Sequence, residues 1–238
     1  RLHLAGCGVL ACALILFSAD SAAKEPGDPI EAAIVKHVKD DRQRALALLQ
    51  ETVDINSGTM NFAGVRKVGS VFEREFQALG FSTEWIDGKA FNRAGHLVAQ
   101  YGTRGPKILL IGHLDTVFAE DSPFQKMQML GDGKAGGPGI TDMKGGDVII
   151  IHALRALRDS GQLRNMRIRV VMTGDEENSG DPTALSKQAL LEAGEWADIA
   201  LGFEDGDGDP KTAAISRRGA SGWQLEVTGR PAHSSQIF

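Results

Sequence analysis

Four clusters of acidic and histidine side chains have the composition of a metal-binding site. Each is predicted to follow a β-strand, and open α/β sheets bind their ligands outside the carboxyl ends of the strands. One imidazole together with several carboxylates suits a borderline divalent cation such as zinc. The clusters are His113 with Asp115, Asp142, Asp175 to Glu177, and Glu204 with Asp205.

The spacing within these clusters suggests how a pair of metal ions would be held. Two cations about 3.5–4 Å apart need a shared carboxylate, and Asp142 is the candidate for that bridge. A histidine ligand needs a partner for its other ring nitrogen, and Asp115 lies two residues beyond His113. Of the adjacent Glu176 and Glu177, one would bind metal and the other would take a proton from the attacking water. The pattern therefore predicts metal-assisted hydrolysis.

Each cluster also has an ordinary structural explanation. Asp142 could cap the helix that follows it, and His113 could be a core histidine with its hydrogen bonds satisfied. Glu176 and Glu177 could be solvated loop charges. We favour the metal site because the four clusters coincide at strand ends. A serine hydrolase using Ser234 is disfavoured, because this serine lacks the strained turn of such nucleophiles.

Alternating strands and helices must position these clusters. Apolar periodicity predicts helices over 30–53, 65–79, 146–158 and 183–192, and strands over 81–86, 96–101, 108–111, 167–173 and 199–203. Gly80 and Gly161 follow two of the helices as stop residues. The sequence predicts an α/β fold in which a mixed, mostly parallel sheet is flanked by helices. Two strand-like runs, 212–217 and 222–228, suggest that another domain begins near Asp209.

Composition limits the classes of partner. The chain has 238 residues, of which 42% are hydrophobic and 24% charged, and its formal charge is -5. These values are typical of a globular protein with a sizeable core. An acidic balance argues against nucleic acid or an anionic membrane as a partner.

The first 23 residues resemble a secretory signal peptide. An apolar run over 2–17 follows Arg1 and precedes the small residues Ser21 to Ala23. The run is shorter than a membrane-spanning helix, although an uncleaved anchor is an alternative. Both cysteines, Cys7 and Cys12, fall inside it, so the mature protein would have no disulfides. We expect a periplasmic or secreted protein without stable membrane association after cleavage.

Three motifs resemble the signatures of the metallopeptidase family that includes carboxypeptidase G, aminoacylase and succinyl-diaminopimelate desuccinylase. They are His-Leu-Asp-Thr-Val at 113–117, Gly-Ile-Thr-Asp-Met-Lys-Gly-Gly at 139–146 and Gly-Asp-Glu-Glu at 174–177. The resemblance implies two zinc ions per subunit. It implies that His113 and Glu204 bind one zinc, Glu177 the other and Asp142 both, with Asp115 orienting His113 and Glu176 acting as general base.

The resemblance also implies a domain organisation. Residues 24–212 would form the first part of the catalytic domain, and 213–238 would begin an inserted α/β lid domain through which subunits dimerise. His233 would stabilise the oxyanion of a partner subunit's substrate. The family's final histidine ligand and its substrate-carboxylate binders follow the lid, so we expect the chain to be a fragment or inactive by itself.

The predicted function is zinc-dependent hydrolysis of a peptide or N-acyl amide bond, as in carboxypeptidase G. The expected substrates are small peptides or N-acyl amino acids. An N-acyl amino-acid deacylase or an aminopeptidase with the same metal centre is the nearest alternative. A non-catalytic scaffold is the alternative from another class.

Overall fold

The computed structural model describes residues 27–204 and, beyond them, residues 206, 209, 212–216, 219 and 224–229. The predicted signal peptide, Asp205 and His233 lie outside the described residues. Within the described part of the chain, no helix has the length and apolar character required to cross a membrane.

Helices and strands alternate along most of the described chain. The helices are α1 (Pro29–Asp40), α2 (Arg42–Val53), α3 (Phe62–Ala78), α4 (Gly145–Asp159), α5 (Thr183–Ser186) and α6 (Gln188–Trp196). The strands are β1 (Ser82–Asp87), β2 (Gly95–Tyr101), β3 (Lys107–His113), β4 (Gln128–Gly131), β5 (Lys134–Gly136), β6 (Arg167–Thr173) and β7 (Ile199–Gly202).

Five strands form a mixed sheet in the order β1, β2, β6, β3, β7. β3 pairs in parallel with both β6 and β7, whereas β2 is antiparallel to β6 and to β1. Only β2 therefore runs against the other strands of this sheet. The predicted α/β fold with a mixed, mostly parallel sheet is confirmed.

The central strands β3 and β6 are largely buried on both faces, because most of their residues are apolar. Leu110 and Val170, paired in register, face the larger core cluster, which includes residues of α3 and α4. Leu109 and Val171 point the other way and pack with Ala193 of α6. Successive side chains alternate between the two faces of a strand, so one apolar run supplies both cores.

Two helix terminations were predicted correctly. Gly80, just after α3, has φ of +85°, and Gly161, just after α4, has φ of +74°. Both glycines adopt the left-handed conformation that commonly ends a helix.

Other predicted elements differ from the structure. The region 30–53 is two helices, since Asp41 leaves the helix with ψ of 8° and its carboxylate faces buried Arg155. The region 183–192 is also divided, at Lys187. The β4–β5 hairpin was not predicted, because its strands are short. Of the two strand-like runs near the end, residues 212–216 and 224–228, which the structure describes, lie in no strand.

Candidate metal centre

The carboxyl ends of three parallel strands meet at one edge of the sheet. β3 ends at His113, which pairs with Thr173, the last residue of β6. β7 pairs with the other side of β3 and ends at Gly202. The segments that leave these strands therefore begin beside one another, at the edge where α/β sheets bind ligands. His113 ends β3 itself, and the segments after β6 and β7 carry Glu176, Glu177 and Glu204.

His113, Asp142 and Glu204 form a group with the geometry of a metal site. His113 Nε2 lies 2.9 Å from Asp142 Oδ1 and 3.3 Å from Glu204 Oε1. One donor atom from each residue lies within 4.8 Å of the other two. The imidazole is buried, whereas the two carboxylate side chains are 55% and 41% exposed, so the group opens to solvent on its acidic side. One imidazole with two carboxylates is a donor set that fits zinc.

Asp142 reaches this group from an irregular helical turn rather than from a strand end, contrary to the prediction. The turn spans Ile140–Lys144 and precedes α4, and Asp142 itself is non-helical with φ of -118° and ψ of 95°. Gly146 allows α4 to approach the end of β7, because a Cβ atom there would lie 2.1 Å from the carbonyl oxygen of Phe203. This approach brings Asp142 and Glu204 to the same side of His113.

Lys144 anchors this turn to the end of α2 and the residues that follow it. Its side chain is fully buried, and Nζ donates to the carbonyl oxygens of Thr52 and Ile55, each at 3.0 Å. Burial lowers the pKa of Lys144 to about 8, although the negative charges of Asp147 and Asp54 oppose that change. This lysine was not among the predicted site residues, although it lies inside the motif at 139–146.

Asp115 links the histidine to the glutamate loop. Its carbonyl oxygen accepts a hydrogen bond from His113 Nδ1 at 3.0 Å, and its carboxylate lies 3.5 Å from the same nitrogen. The carboxylate also accepts the backbone N–H groups of Glu176 and Glu177, each at 3.1 Å, and the hydroxyl of Thr59 at 2.7 Å. Burial raises the pKa of Asp115, but the bonds to His113 and Thr59 outweigh burial and leave the pKa below its ordinary value.

Asp175 holds the same loop from the other side. The carboxylate is fully buried and accepts hydrogen bonds from the Gly180 N–H at 2.7 Å and from the Ser186 hydroxyl. Lys187 Nζ lies 3.3 Å from the second oxygen. Asp115 and Asp175 together fix the backbone on which Glu176 and Glu177 stand.

The two glutamates differ in their surroundings. Glu177 is half-buried and lines a cavity of about 340 Å³ together with Asp142. Burial and the negative charge of Asp142 raise the pKa of Glu177 to about 7. Glu176 is exposed. A half-buried carboxylate beside Asp142 and an exposed one next to it are suited to different roles.

The pKa of the buried His113 imidazole is raised above its ordinary value. Burial lowers its pKa, but hydrogen bonds with Asp115 and Glu204 and the charges of Asp115 and Asp147 raise it, to about 11. In the metal-free protein at neutral pH, His113 is therefore an imidazolium surrounded by carboxylates. A site that stabilises one positive charge this strongly also favours a divalent cation.

A larger cavity, of about 550 Å³, adjoins the group. Glu177 and Asn178 line it on one side, and the segments 58–61, 116–117 and 119–121 line the rest. Thr59 joins two of these walls, because its hydroxyl binds Asp115 and its N–H donates to the Thr116 carbonyl at 3.1 Å. The cavity therefore shares Glu177 with the candidate metal centre.

A mixed α/β sheet with one imidazole and several carboxylates at its carboxyl edge is typical of metal-dependent hydrolases. Residues 109–218 match the model of Peptidase family M20/M25/M40. This stretch, a little under half of the chain, therefore matches a metallopeptidase family.

Curated relatives share about a third of the aligned residues. The chain is 30% identical over 200 residues to carboxypeptidase G2 of Pseudomonas sp. (strain RS-16). This alignment covers 82% of this chain and 46% of the relative. It is 31% identical over 153 residues to a probable succinyl-diaminopimelate desuccinylase of Staphylococcus epidermidis, covering 62% of this chain and 36% of the relative. The chain thus spans less than half the length of these relatives.

Solved structures with the same fold include human carnosine dipeptidase 1, with a TM-score of 0.62 and 20% identity over 73% of this chain and 40% of that one. An M20 family metallo-carboxypeptidase from Sulfolobus solfataricus gives a TM-score of 0.55 at 17% identity, over 68% of this chain and 37% of that one. At these identities the likeness concerns the fold.

Proposed function

We propose that this chain supplies the metal-binding part of a zinc-dependent hydrolase that cleaves a peptide or N-acyl amide bond in the manner of carboxypeptidase G. The observation that carries the proposal is the grouping of His113, Asp142 and Glu204 within ligand distance of one another, beside a loop that carries two further glutamates. The group would supply metal ligands, and the neighbouring loop would supply a further ligand and the base, all at one edge of the sheet.

Two zinc ions would be shared among four side chains. His113 and Glu204 would hold one ion and Glu177 the other, with Asp142 common to both. Support comes from the position of Asp142, which lies 2.9 Å from His113 and lines a cavity together with Glu177. Zinc, when bound, supplies a Lewis acid that polarises the scissile carbonyl and makes water more acidic.

Residues of the chain itself carry out the proton transfer. Glu176 accepts a proton from the attacking water at its carboxylate and returns it to the nitrogen of the leaving amine as the C–N bond breaks. The exposed side chain is free for this task, while the backbone N–H is held by Asp115. Asp115 orients the imidazole of His113 through its carbonyl oxygen.

The substrate would be a small peptide or an N-acyl amino acid, since the names of the curated relatives include a carboxypeptidase and a desuccinylase. The 550 Å³ cavity beside Glu177 is large enough for a side chain or an acyl group next to the scissile bond. A deacylase or an aminopeptidase with the same centre is the alternative, and a panel of N-acyl amino acids and peptides with free or blocked termini separates them.

Export and assembly complete the proposal. The first 23 residues would direct the protein to the periplasm or the medium and would then be removed. The region 213–238 would begin a lid through which two subunits associate, and His233 would reach the active site of the other subunit to stabilise the oxyanion. Fractionation of the producing cells and the molecular mass in solution test these two points.

A pair of adjacent variants tests the core of the proposal. Glu176→Gln should bind the same amount of zinc as the unchanged protein and lose about 10²–10⁴-fold in turnover, because only the base is removed. Glu177→Gln, the matched control, should lose zinc as well as activity. Metal content by mass spectrometry and hydrolysis rates are measured on both. Full activity of Glu176→Gln would exclude it as the base, and absence of bound metal in the unchanged protein would favour the scaffold alternative.

A further inference from the structure

His96 holds the first residue of the loop that carries Glu176 and Glu177. The imidazole, at the start of β2, is buried, and its Nδ1 atom accepts the backbone N–H of Gly174 at 3.2 Å. Gly174 directly follows β6, and a Cβ atom on it would lie 2.4 Å from the carbonyl oxygen of Gly95. The loop therefore begins at a backbone hydrogen bond to a side chain of the neighbouring strand. His96 was not among the predicted site residues.

The two hydrogen bonds of His96 require one particular form of its imidazole. Nδ1 faces an N–H group, which can only donate, and Nε2 lies 2.8 Å from the carbonyl oxygen of Ser186, which can only accept. The imidazole must therefore be neutral, with its proton on Nε2. Burial lowers the pKa of His96 and outweighs the opposing charge of Asp175, so the same neutral form is favoured at neutral pH.

These contacts tie both ends of one chain segment to the same imidazole. Ser186, at the end of α5, accepts the Nε2 proton of His96 at its carbonyl oxygen and donates its hydroxyl to the buried carboxylate of Asp175. The chain between Gly174 and Ser186 is thus held at its beginning and at its end. The ring of Phe91 stacks on the imidazole, with centroids 5.0 Å apart and an interplanar angle of 14°, so the imidazole has little freedom to turn.

Asp115 and His96 hold different atoms of the glutamate loop. Asp115 accepts the N–H groups of Glu176 and Glu177, whereas His96 accepts that of Gly174, which precedes them in the loop. The hydrogen bond to His96 therefore fixes the direction in which the chain leaves β6. A small misplacement of groups that take part in a reaction costs much of its rate, and a change in this direction would displace both glutamates together.

We propose that His96 is a positioning residue which, by accepting the N–H of Gly174 at Nδ1, places Glu177 as a metal ligand and Glu176 as the base. The inference rests on the proposed function, because it assigns His96 a part in zinc-dependent hydrolysis. His96 acts through the backbone of Gly174 and does not touch the substrate or the metal ion. The alternative is a purely structural role, in which both hydrogen bonds of His96 stabilise the fold and neither has a special effect on the centre.

Two amide variants separate the two hydrogen bonds of His96. His96→Asn places an oxygen atom where Nδ1 accepts the N–H of Gly174, but it loses the bond to Ser186. His96→Gln places an NH₂ group where Nε2 donates to Ser186, but it loses the bond to Gly174. Each variant leaves buried polar groups without partners, so both should unfold at a lower temperature than the unchanged protein, by a similar amount.

The two variants should differ at the centre. Zinc affinity, measured by competition with a chelator at pH 7.5, and kcat at saturating zinc should each fall at least about tenfold in His96→Gln, with little change in KM. In His96→Asn both should stay within about threefold of the unchanged protein. The matched control is His152→Asn, because His152 is also buried but faces Asp41, at 3.5 Å, and it should change neither property.

The outcomes separate the inference from the proposed function. Losses in His96→Asn as large as those in His96→Gln, or no loss in His96→Gln, would overturn the inference, and normal zinc binding and hydrolysis by the unchanged protein would leave the function standing. Nitrogen NMR of the isotope-labelled, metal-free protein at pH 7.5 should show His96 protonated at Nε2 alone. A proton on Nδ1 would overturn the inference even if neither variant folds. Failure of the unchanged protein to bind zinc would remove the proposed function, and the inference with it.

Discussion

The Oδ2 atom of Asp115 lies 3.1 Å from the backbone nitrogen of Glu177, and the Oδ1 atom lies at the same distance from that of Glu176. One buried carboxylate thus fixes the loop after β6 while its own carbonyl oxygen holds His113 after β3. The loops of two neighbouring strands are joined by this residue, so the position of His113 and the positions of Glu176 and Glu177 depend on each other.

Asp115→Asn should therefore weaken both folding and metal binding. The amide can offer only one oxygen to the two N–H groups, and its NH₂ group would face one of them. We expect the free energy of unfolding to fall by about 1–3 kcal/mol and the zinc affinity to fall about 10–100-fold. Denaturant unfolding and chelator competition measure the two effects. Thr59→Val, which removes one donor to the same carboxylate, should cost about 1 kcal/mol. Equal zinc affinity in Asp115→Asn would argue against the coupling.

A second prediction concerns Lys144, which anchors the turn that carries Asp142. Lys144→Met should lower the free energy of unfolding by about 1–3 kcal/mol, because two carbonyl groups, those of Thr52 and Ile55, lose their donor. Lys126 is the matched control. It also donates to one backbone carbonyl nearby, that of Asp54 at 2.9 Å, but it is exposed. Lys126→Met should change stability by less than about 0.5 kcal/mol. Similar losses in the two variants would contradict the role of burial at Lys144.

Zinc binding should release protons from the metal-free protein. With a pKa of about 11, His113 is protonated at neutral pH and must lose that proton before Nε2 can bind a metal. Zinc affinity should therefore rise about tenfold per pH unit between pH 7 and 8. Below pH 7 the slope should steepen, because Glu177, with a pKa of about 7, also becomes protonated. Titration in weakly buffered solution, followed with an indicator dye, measures the protons. Affinity that is independent of pH over this range would refute the assignment.

The charge of the 550 Å³ cavity should influence substrate preference. Glu120, Asp121 and Glu177 line it, and no lysine or arginine is among the described residues of its lining. Peptides that place a lysine side chain in the cavity should react faster than those that place a glutamate there. The preference is the ratio of kcat/KM for a lysine-containing peptide to kcat/KM for the matching glutamate-containing peptide. Replacing two of the cavity's carboxylates, by Glu120→Gln and Asp121→Asn, should reduce this ratio about threefold to tenfold. Asp132→Asn, on the β4–β5 hairpin, serves as the control. A ratio that the double variant leaves unchanged would mean that the cavity does not hold the charged side chain.

The sequence by itself determined the central strands, the α/β class and the position of His113 and the glutamates at strand ends. Uninterrupted apolar runs such as 108–111 have one stable location in a layered fold, and the residues that follow them necessarily emerge at the sheet edge. Helix stops at Gly80 and Gly161 were predictable for a similar reason, since their left-handed backbone is a local property.

Only the tertiary structure decided how the clusters meet. The division of the first helical region at Asp41 accompanies a contact with Arg155, which lies over a hundred positions away and which periodicity does not reveal. The same holds for Thr59 with Asp115, for Lys144 with the end of α2, and for His96 with Gly174. Each is a pairing of a buried polar group with a distant part of the chain. Local patterns report which residues are apolar, whereas the partner of a buried charge depends on which loops the sheet order brings together.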